Sequence, residues 1–513
     1  MKTTPDLPIE LWLEILLYLP RSTLHKMIGV NRTLFELALN DLYEEVRFIS
    51  DDKVMMKSFK QLRHAGIAKR VRQLFVRPAF LPGLDEIDFR SKFERKVASS
   101  MTYLKNIARS PLSDESKESL QDSSFAILDV AKNAVKCCPN LREITITLHD
   151  HALTPTFISF LESLWTSDSI GPNIRKISID TTVVKIPILL KPLKKHSTVL
   201  TKLEEFDLNI SISRYPHTPT EWLSAIQALV SFFTVFKRTL TSVSLSSMII
   251  ADLGDIFEPL PRLPKLKKFE FLAVISSLSL PKPEDFTRFI SRHASTLEVF
   301  IVKPRARCIT FNHSDDTYTT WLNHVAPRTS EKRYSFSELE LPKLRTLDVG
   351  LRDINLYWAD PDLSTRALLP DLSQVASNLT KLIMSDVRLS PHRLSAILDT
   401  LARHDGGTIL EELSFVCHEL SSQFFDLLSQ KLRALNALTI EYDTTSGTVA
   451  NYLQFYQEMQ ARTYPAWDLR YLRLARPHSC GQAHPNTPDM NAVARSLTQN
   501  VVLDTEFVCQ CFL

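Results

Sequence analysis

Residues 203–208 read Leu203-Glu204-Glu205-Phe206-Asp207-Leu208: one apolar side chain, two polar ones, then two apolar ones separated by a single polar position. From Glu205 onward this is the alternation of a strand with one face in a core, and Leu203 stands just ahead of it as a third anchor. The same apolar-x-x-apolar-x-apolar spelling starts again at Val71, Leu141, Ile174, Leu240, Leu266, Leu297, Leu344, Leu379, Leu410, Leu435 and Leu469, twelve copies in all. From Leu141 onward the starts lie 25 to 37 residues apart, except for one interval of 47. Helical stretches fill many of the intervals, among them Thr220 to Phe236, Pro283 to His293, Ser390 to His404 and Ser421 to Leu432. Ser390-Pro391 reads as a helix cap followed by a proline in the first turn, where its missing N–H costs nothing. Strand, helix and strand at a recurring interval predict an α/β fold, a parallel solenoid in which each unit covers its apolar face with its neighbours.

Composition narrows the function classes. The chain has 513 residues, 44% hydrophobic and 23% charged, with a mean hydropathy of -0.07, so it can bury a large core. Its 61 basic and 58 acidic residues leave a formal charge of +3, which argues against a polyanion-seeking class. The chain has 10 glycines, and Gly406-Gly407 is the one adjacent pair. Loops that cradle phosphates need clustered glycines, so nucleotide-binding folds are disfavoured. Seven cysteines do not make a disulfide framework. Glu10 and Glu14 break the N-terminal apolar stretch that a signal peptide requires, and no uncharged apolar run approaches the ~18 residues of a membrane span. The expectation is a reducing compartment, cytoplasmic or nuclear.

Little in the chain suggests chemistry. There is no G-x-S-x-G elbow to present a nucleophile, and the paired acids Glu204-Glu205 and Glu411-Glu412 fall at strand entrances, where neighbours point to opposite faces. His478, Cys480, His484, Cys509 and Cys511 lack a C-x-x-C pair and read as tail residues rather than zinc ligands. Lys194-Lys195 and Lys265 with Lys267-Lys268 lie among acids and read as solvated faces. No enzyme activity, metal, cofactor, nucleic acid or membrane partner is expected.

The N-terminal residues form a separate block. Leu7, Leu11, Ile15, Leu16 and Leu19 recur at helical spacing, Pro8 suits the helix start and Pro20 ends it. Leu24, Met27, Ile28 and Val30 mark a second helix, and Leu34, Leu37, Ala38 and Leu42 a third. So small a unit hides too little surface to be stable alone and needs a partner. The run Leu7-Pro8-Ile9-Glu10-Leu11, then Ile15-Leu16, Leu19-Pro20, Leu24 and Val30-Asn31-Arg32 resembles the F-box in order and spacing. It departs at Thr23, where an acid is common, at Asn31, where Cys or Ser is usual, and at Leu34, where Trp is frequent. The resemblance implies docking on a Skp-type adaptor, and through it a cullin, by Leu7, Pro8, Ile9, Leu11, Ile15, Leu16 and Leu19. A plain helical cap on the array is the other reading.

Residues 69–480 resemble leucine-rich repeats, and an F-box followed by such repeats resembles fungal F-box proteins. The expected Asn or Cys eight residues after each first anchor is missing, with His149, Thr182, Ser211, Arg352, His418 and Asp443 among the substitutes, so an irregular array is anticipated. The domain plan is thus a helical block at 1–50, a linker at 51–68, the array at 69–480 with loops inserted near 109–124 and 305–338, and a cap or tail at 481–513. Residues two, four and six after each first anchor should line the concave face, where acids and bases are mixed. Leu272, Val299 and Ile301 should make an apolar patch there, rimmed by Lys268, Glu270 and Lys303, as a candidate substrate-binding surface. The resemblance implies a non-catalytic substrate receptor of a Skp/cullin/F-box ubiquitin ligase that presents a protein for ubiquitination and degradation. A repeat scaffold outside any ligase is the alternative.

Overall fold

The computed structural model describes residues 21–81 without 28, 126–304 without 150, 214–215, 250 and 276–277, then 339–350, 378–401, 409–445, 451–478 and 502–509. Pro8, Leu11, Trp12, Glu14, Ile15, Phe336, Val493 and Leu497 are described as well. The chain divides into two compact units, Met1–Leu240 and Thr241–Leu513.

Among the described residues the first unit holds strands β1 (Glu45–Phe48), β2 (Gln73–Val76), β3 (Glu143–Thr147), β4 (Lys176–Thr181) and β5 (Glu205–Ile210). Each pairs in parallel with the next, in chain order. The second unit repeats the plan with β6 (Ser242–Ser247), β7 (Lys268–Ala273), β8 (Val299–Pro304), β9 (Thr346–Gly350), β10 (Lys381–Arg388), β11 (Glu412–Leu420), β12 (Ala437–Thr445), β13 (Tyr471–His478) and β14 (Val502–Cys509). These too pair in parallel with consecutive neighbours. Each unit is therefore an α/β repeat stack. Every anchor of the twelve copies is buried, none more than 6% exposed, because the pleat sends the second and third anchors of each copy to one face of the sheet.

Helices cover that face. The Pro155–Trp165 helix starts at Thr154, whose hydroxyl accepts the Phe157 N–H at 3.2 Å, and it buries Phe157, Phe160, Leu161, Leu164 and Trp165. The Pro219–Phe236 helix opens with a reciprocal cap: Thr218 Oγ1 accepts the Glu221 N–H at 3.3 Å, and Glu221 Oε2 accepts the Thr218 N–H at 2.7 Å. It lays Phe232 and Phe233 on Phe206 of β5, with ring centroids 4.4 and 5.7 Å apart. In the second unit Phe257, Phe269, Phe271, Phe286, Phe289 and Phe300 form one contiguous aromatic cluster.

Backbone bonds fix the register at each strand entrance. The Arg142 and Glu143 N–H groups both donate to Arg72 O, those of Arg175 and Lys176 to Arg142 O, and those of Glu204 and Glu205 to Arg175 O. The second unit continues in the same way through Lys267, Glu298, Arg345, Thr380, Glu411 and Asn436. Without the expected Asn or Cys after the strands, an asparagine before the strand bridges repeats instead. Asn140 Nδ2 donates to Lys69 O at 2.6 Å, Asn173 Nδ2 to Pro139 O at 3.0 Å and Asn378 Nδ2 to Pro342 O at 2.5 Å. At the turn after β3, His149 adopts a left-handed φ of 40°, and its carbonyl accepts the ammonium of buried Lys185 at 2.7 Å.

The domain plan needs three corrections. Residues 51–68 are not a linker, for they hold the Lys53–Leu62 and Ala65–Ala68 helices that connect β1 to β2. The helical block ends at Tyr43, because Glu45–Phe48 joins the sheet as β1. The C-terminal stretch contributes a strand, β14, paired along its whole length with β13. Its copy of the spelling is broken by Asn500 and Thr505, which removed the sequence signal. The inserted loops at 109–124 and 305–338 lie outside the described residues, apart from Phe336, which is buried and stacks on Phe300.

Candidate functional site

Two surfaces follow from this framework. The first is the N-terminal block, where Pro8 opens a helical turn and Pro8 O accepts the N–H groups of Leu11 and Trp12 at 3.1 and 3.3 Å. Trp12, with Met27, packs on a cluster of Leu24, Leu34 and Ala38. Leu11 and Ile15, one helical turn apart, are 45% and 38% exposed, while Pro8 is exposed as well. Leu7, Ile9, Leu16 and Leu19 lie outside the described residues. Two departures from the F-box pattern have local uses: Asn31 Oδ1 caps the Arg32–Tyr43 helix by accepting the Leu34 N–H at 2.8 Å, and Leu34 fills the cluster. Trp12 was not among the sequence candidates, although a large aromatic beside an apolar heptad position is a recognisable core signal.

The Arg32–Tyr43 helix is tied to the first repeats by Arg70, whose side chain is 10% exposed. Arg70 Nε donates to Gly66 O at 3.0 Å, Nη1 to Glu36 O at 3.1 Å and to Asn40 Oδ1, and Nη2 to the Glu36 carboxylate. The hydrogen bond from Arg70, then its charge, hold the Glu36 carboxyl below the usual carboxylate range. Glu36, Asn40, Asp41, Glu44, Lys69, Arg70, Arg72 and Asn140 line a polar cleft of about 480 Å³ at this junction. Partners 34 residues apart left no local pattern for the sequence to reveal.

The second surface is the open face of the sheet, opposite the helices. On β7 and β8 the register sets Lys268 beside Val299, Glu270 beside Ile301 and Leu272 beside Lys303. Val299 and Ile301 thus follow one another on a strand, with Leu272 on the diagonal. All three are half-buried rather than exposed. Lys268 pairs with Glu270 at 3.5 Å on one flank, and Lys303 with buried Asp348 of β9 at 2.8 Å on the other. The sequence candidates do come together, as an apolar diagonal between two ion pairs and not as an open patch.

In the first unit Lys176 lies 2.9 Å from Asp207 and 3.8 Å from Glu205 on the next strand, and Ser178 donates to Asp207 at 3.0 Å. Burial works against the Lys176 charge, but Asp207, Glu205 and Glu143 outweigh it and raise its pKa. Asp180 accepts from Ser211 and lies 3.6 Å from His149 Nδ1. The charges on this face of the first unit are thus mixed in sign and largely paired with one another. Among the described residues no group of three or more His, Cys, Asp or Glu side chains could hold a metal ion, and no helix is long and apolar enough to cross a membrane.

No family model and no curated protein matches this chain. Among solved structures, the crystal structure of the Rad7 and Elc1 complex in yeast is similar over 80% of this chain and 96% of that one, at 12% identity and a TM-score of 0.33. A likeness of that size adds no argument to the strand register itself.

Proposed function

We propose that this chain is a non-catalytic substrate receptor of a Skp/cullin/F-box-type ubiquitin ligase in the cytoplasm or nucleus. Its N-terminal block docks on the adaptor, and its repeats hold a protein for ubiquitin transfer. The observation that carries the reading is a helical block with an F-box order of residues that leaves Leu11, Ile15, Val30, Phe35 and Leu42 exposed. Apolar side chains at that density on one small block mark a surface made to be covered. The receptor needs no catalytic group, since it acts by raising the local concentration of substrate lysines.

The test is co-expression of the full chain with a Skp-type adaptor, read by gel filtration. The expected result is a stoichiometric complex with the wild type, lost in Leu11→Asp/Ile15→Asp while the thermal melt is unchanged. A folded wild type that forms no complex overturns the reading. The second reading, a repeat scaffold that uses the block as a cap, is favoured by the Arg70 tie, because terminal repeats need such covers. It predicts a soluble monomer without any adaptor.

A further inference from the structure

The open face of the first unit begins with an arrangement that neither surface above uses. Phe75 of β2 is half-buried on that face. Arg47, its register partner on β1, holds its guanidinium carbon 5.6 Å from the ring centroid, and Arg77, two residues after Phe75 and just past the end of β2, holds its own at 5.4 Å. Arg47 also pairs with Glu45. Arg77 has no ion-pair partner among the described residues, and its Nε is buried without a hydrogen bond. On the strands, Lys176 of the first unit and Lys268, Lys303 and Lys381 of the second each lie against a carboxylate. Arg77, unlike those lysines, has no acid beside it among the described residues.

We propose that β1 and β2 present a docking point for a carboxylate side chain, aspartate or glutamate, of an extended peptide, held by the Arg77 and Arg47 guanidinium groups over Phe75. Stacking on a ring leaves a guanidinium's hydrogen-bonding edge free to take a carboxylate in a two-pronged fit. With Glu45 counted, the site carries one net positive charge, which matches a carboxylate and not a doubly charged phosphate. Phe75 supplies an apolar floor for the methylenes of that side chain.

The inference rests on the proposed reading only in taking a protein as the ligand of the open face. It is tested with the full chain on an array of short peptides whose flanks are randomised and whose centre is Glu, Gln, Lys or phosphoserine. The expected result is retention on Glu-centred spots about tenfold above Gln-centred ones, weakening with ionic strength. That preference disappears in Arg77→Gln, whose thermal melt matches the wild type. Equal retention of Glu and Gln spots, a preference for phosphoserine, a Glu preference that survives Arg77→Gln, or no retention on any spot overturns it. Arg77→Gln leaves adaptor co-purification unchanged, so failure of the ligase reading is seen separately in the gel-filtration assay.

Discussion

Single residues show where the fold is sensitive. His293 is buried beneath the second unit's aromatic cluster, where its Nδ1 donates to Phe289 O at 2.7 Å and its Nε2 accepts the Leu263 N–H at 2.9 Å. Burial, helped by the charges of Arg292 and Arg262 and opposed by the Phe289 carbonyl, pushes its pKa down to about 4. Protonation at Nε2 would remove the acceptor of the Leu263 N–H. The unfolded chain, with an ordinary imidazole near 6.5, takes up the proton first. The contribution is therefore complete above about pH 6.5 and is lost as pH falls toward 4, up to about 3 kcal/mol. Chemical denaturation across that range should show a steeper loss for the wild type than for His293→Gln, which keeps both hydrogen bonds without titrating. His149 gives a second residue-scale expectation from its left-handed backbone. His149→Val should destabilise by about 1–2 kcal/mol, whereas His149→Asn should stay within about 0.5 kcal/mol, by equilibrium denaturation. Neither environment could be read from sequence, because Leu263 for His293, and Lys185 and Asp180 for His149, come from other elements.

Elements are where the sequence was most legible. The twelve copies of the repeat were found because burial on one face of a strand leaves an alternating record, and the helices expected at 220–236 and 283–293 fall within one residue of those observed. β1 was missed because the run from Leu34 to Leu42 continues a helical pattern almost to its first residue, although Tyr43, Val46 and Phe48 keep the strand spelling. The asparagine bridges were missed because they precede the strand, where the repeat pattern does not look for them. Their role predicts that Asn140→Ala and Asn173→Ala each cost about 1 kcal/mol in denaturant unfolding. Thr218→Ala, which removes one half of the cap on the Pro219–Phe236 helix, should cost about 1 kcal/mol by the same measurement.

At the scale of the whole molecule, the charge is balanced, but the exposed apolar residues are unevenly placed. Seven of the thirteen large apolar side chains exposed among the described residues fall between Leu11 and Val54. With a formal charge of +3 there is little net repulsion to keep such surfaces apart. The full chain without adaptor should therefore self-associate in sedimentation velocity, and Leu11→Asp/Ile15→Asp should raise the monomer fraction. A monodisperse wild type would favour the capping scaffold instead. The corresponding substitutions are Ile301→Asp, which puts an acid between Glu270 and Asp348, and Val299→Asp, which puts one between Lys268 and Thr346. Those side chains are half-buried, so their effect should be read as partner binding only after a melt shows the unit intact.

The sequence by itself determined the strand spelling, its repetition and the α/β class, because each is a consequence of local alternation and spacing. It also determined the order of residues in the N-terminal block and the near-neutral balance of charge. Tertiary structure alone decided which charges meet, since Lys303 and Asp348, or Arg70 and Glu36, are brought together only by the register of distant strands and helices. It decided as well that Leu272, Val299 and Ile301 lie half-covered between ion pairs, and that Arg77 is left beside Phe75 without an acid. Alternation is written along the chain, whereas charge pairing depends on which neighbours the fold supplies.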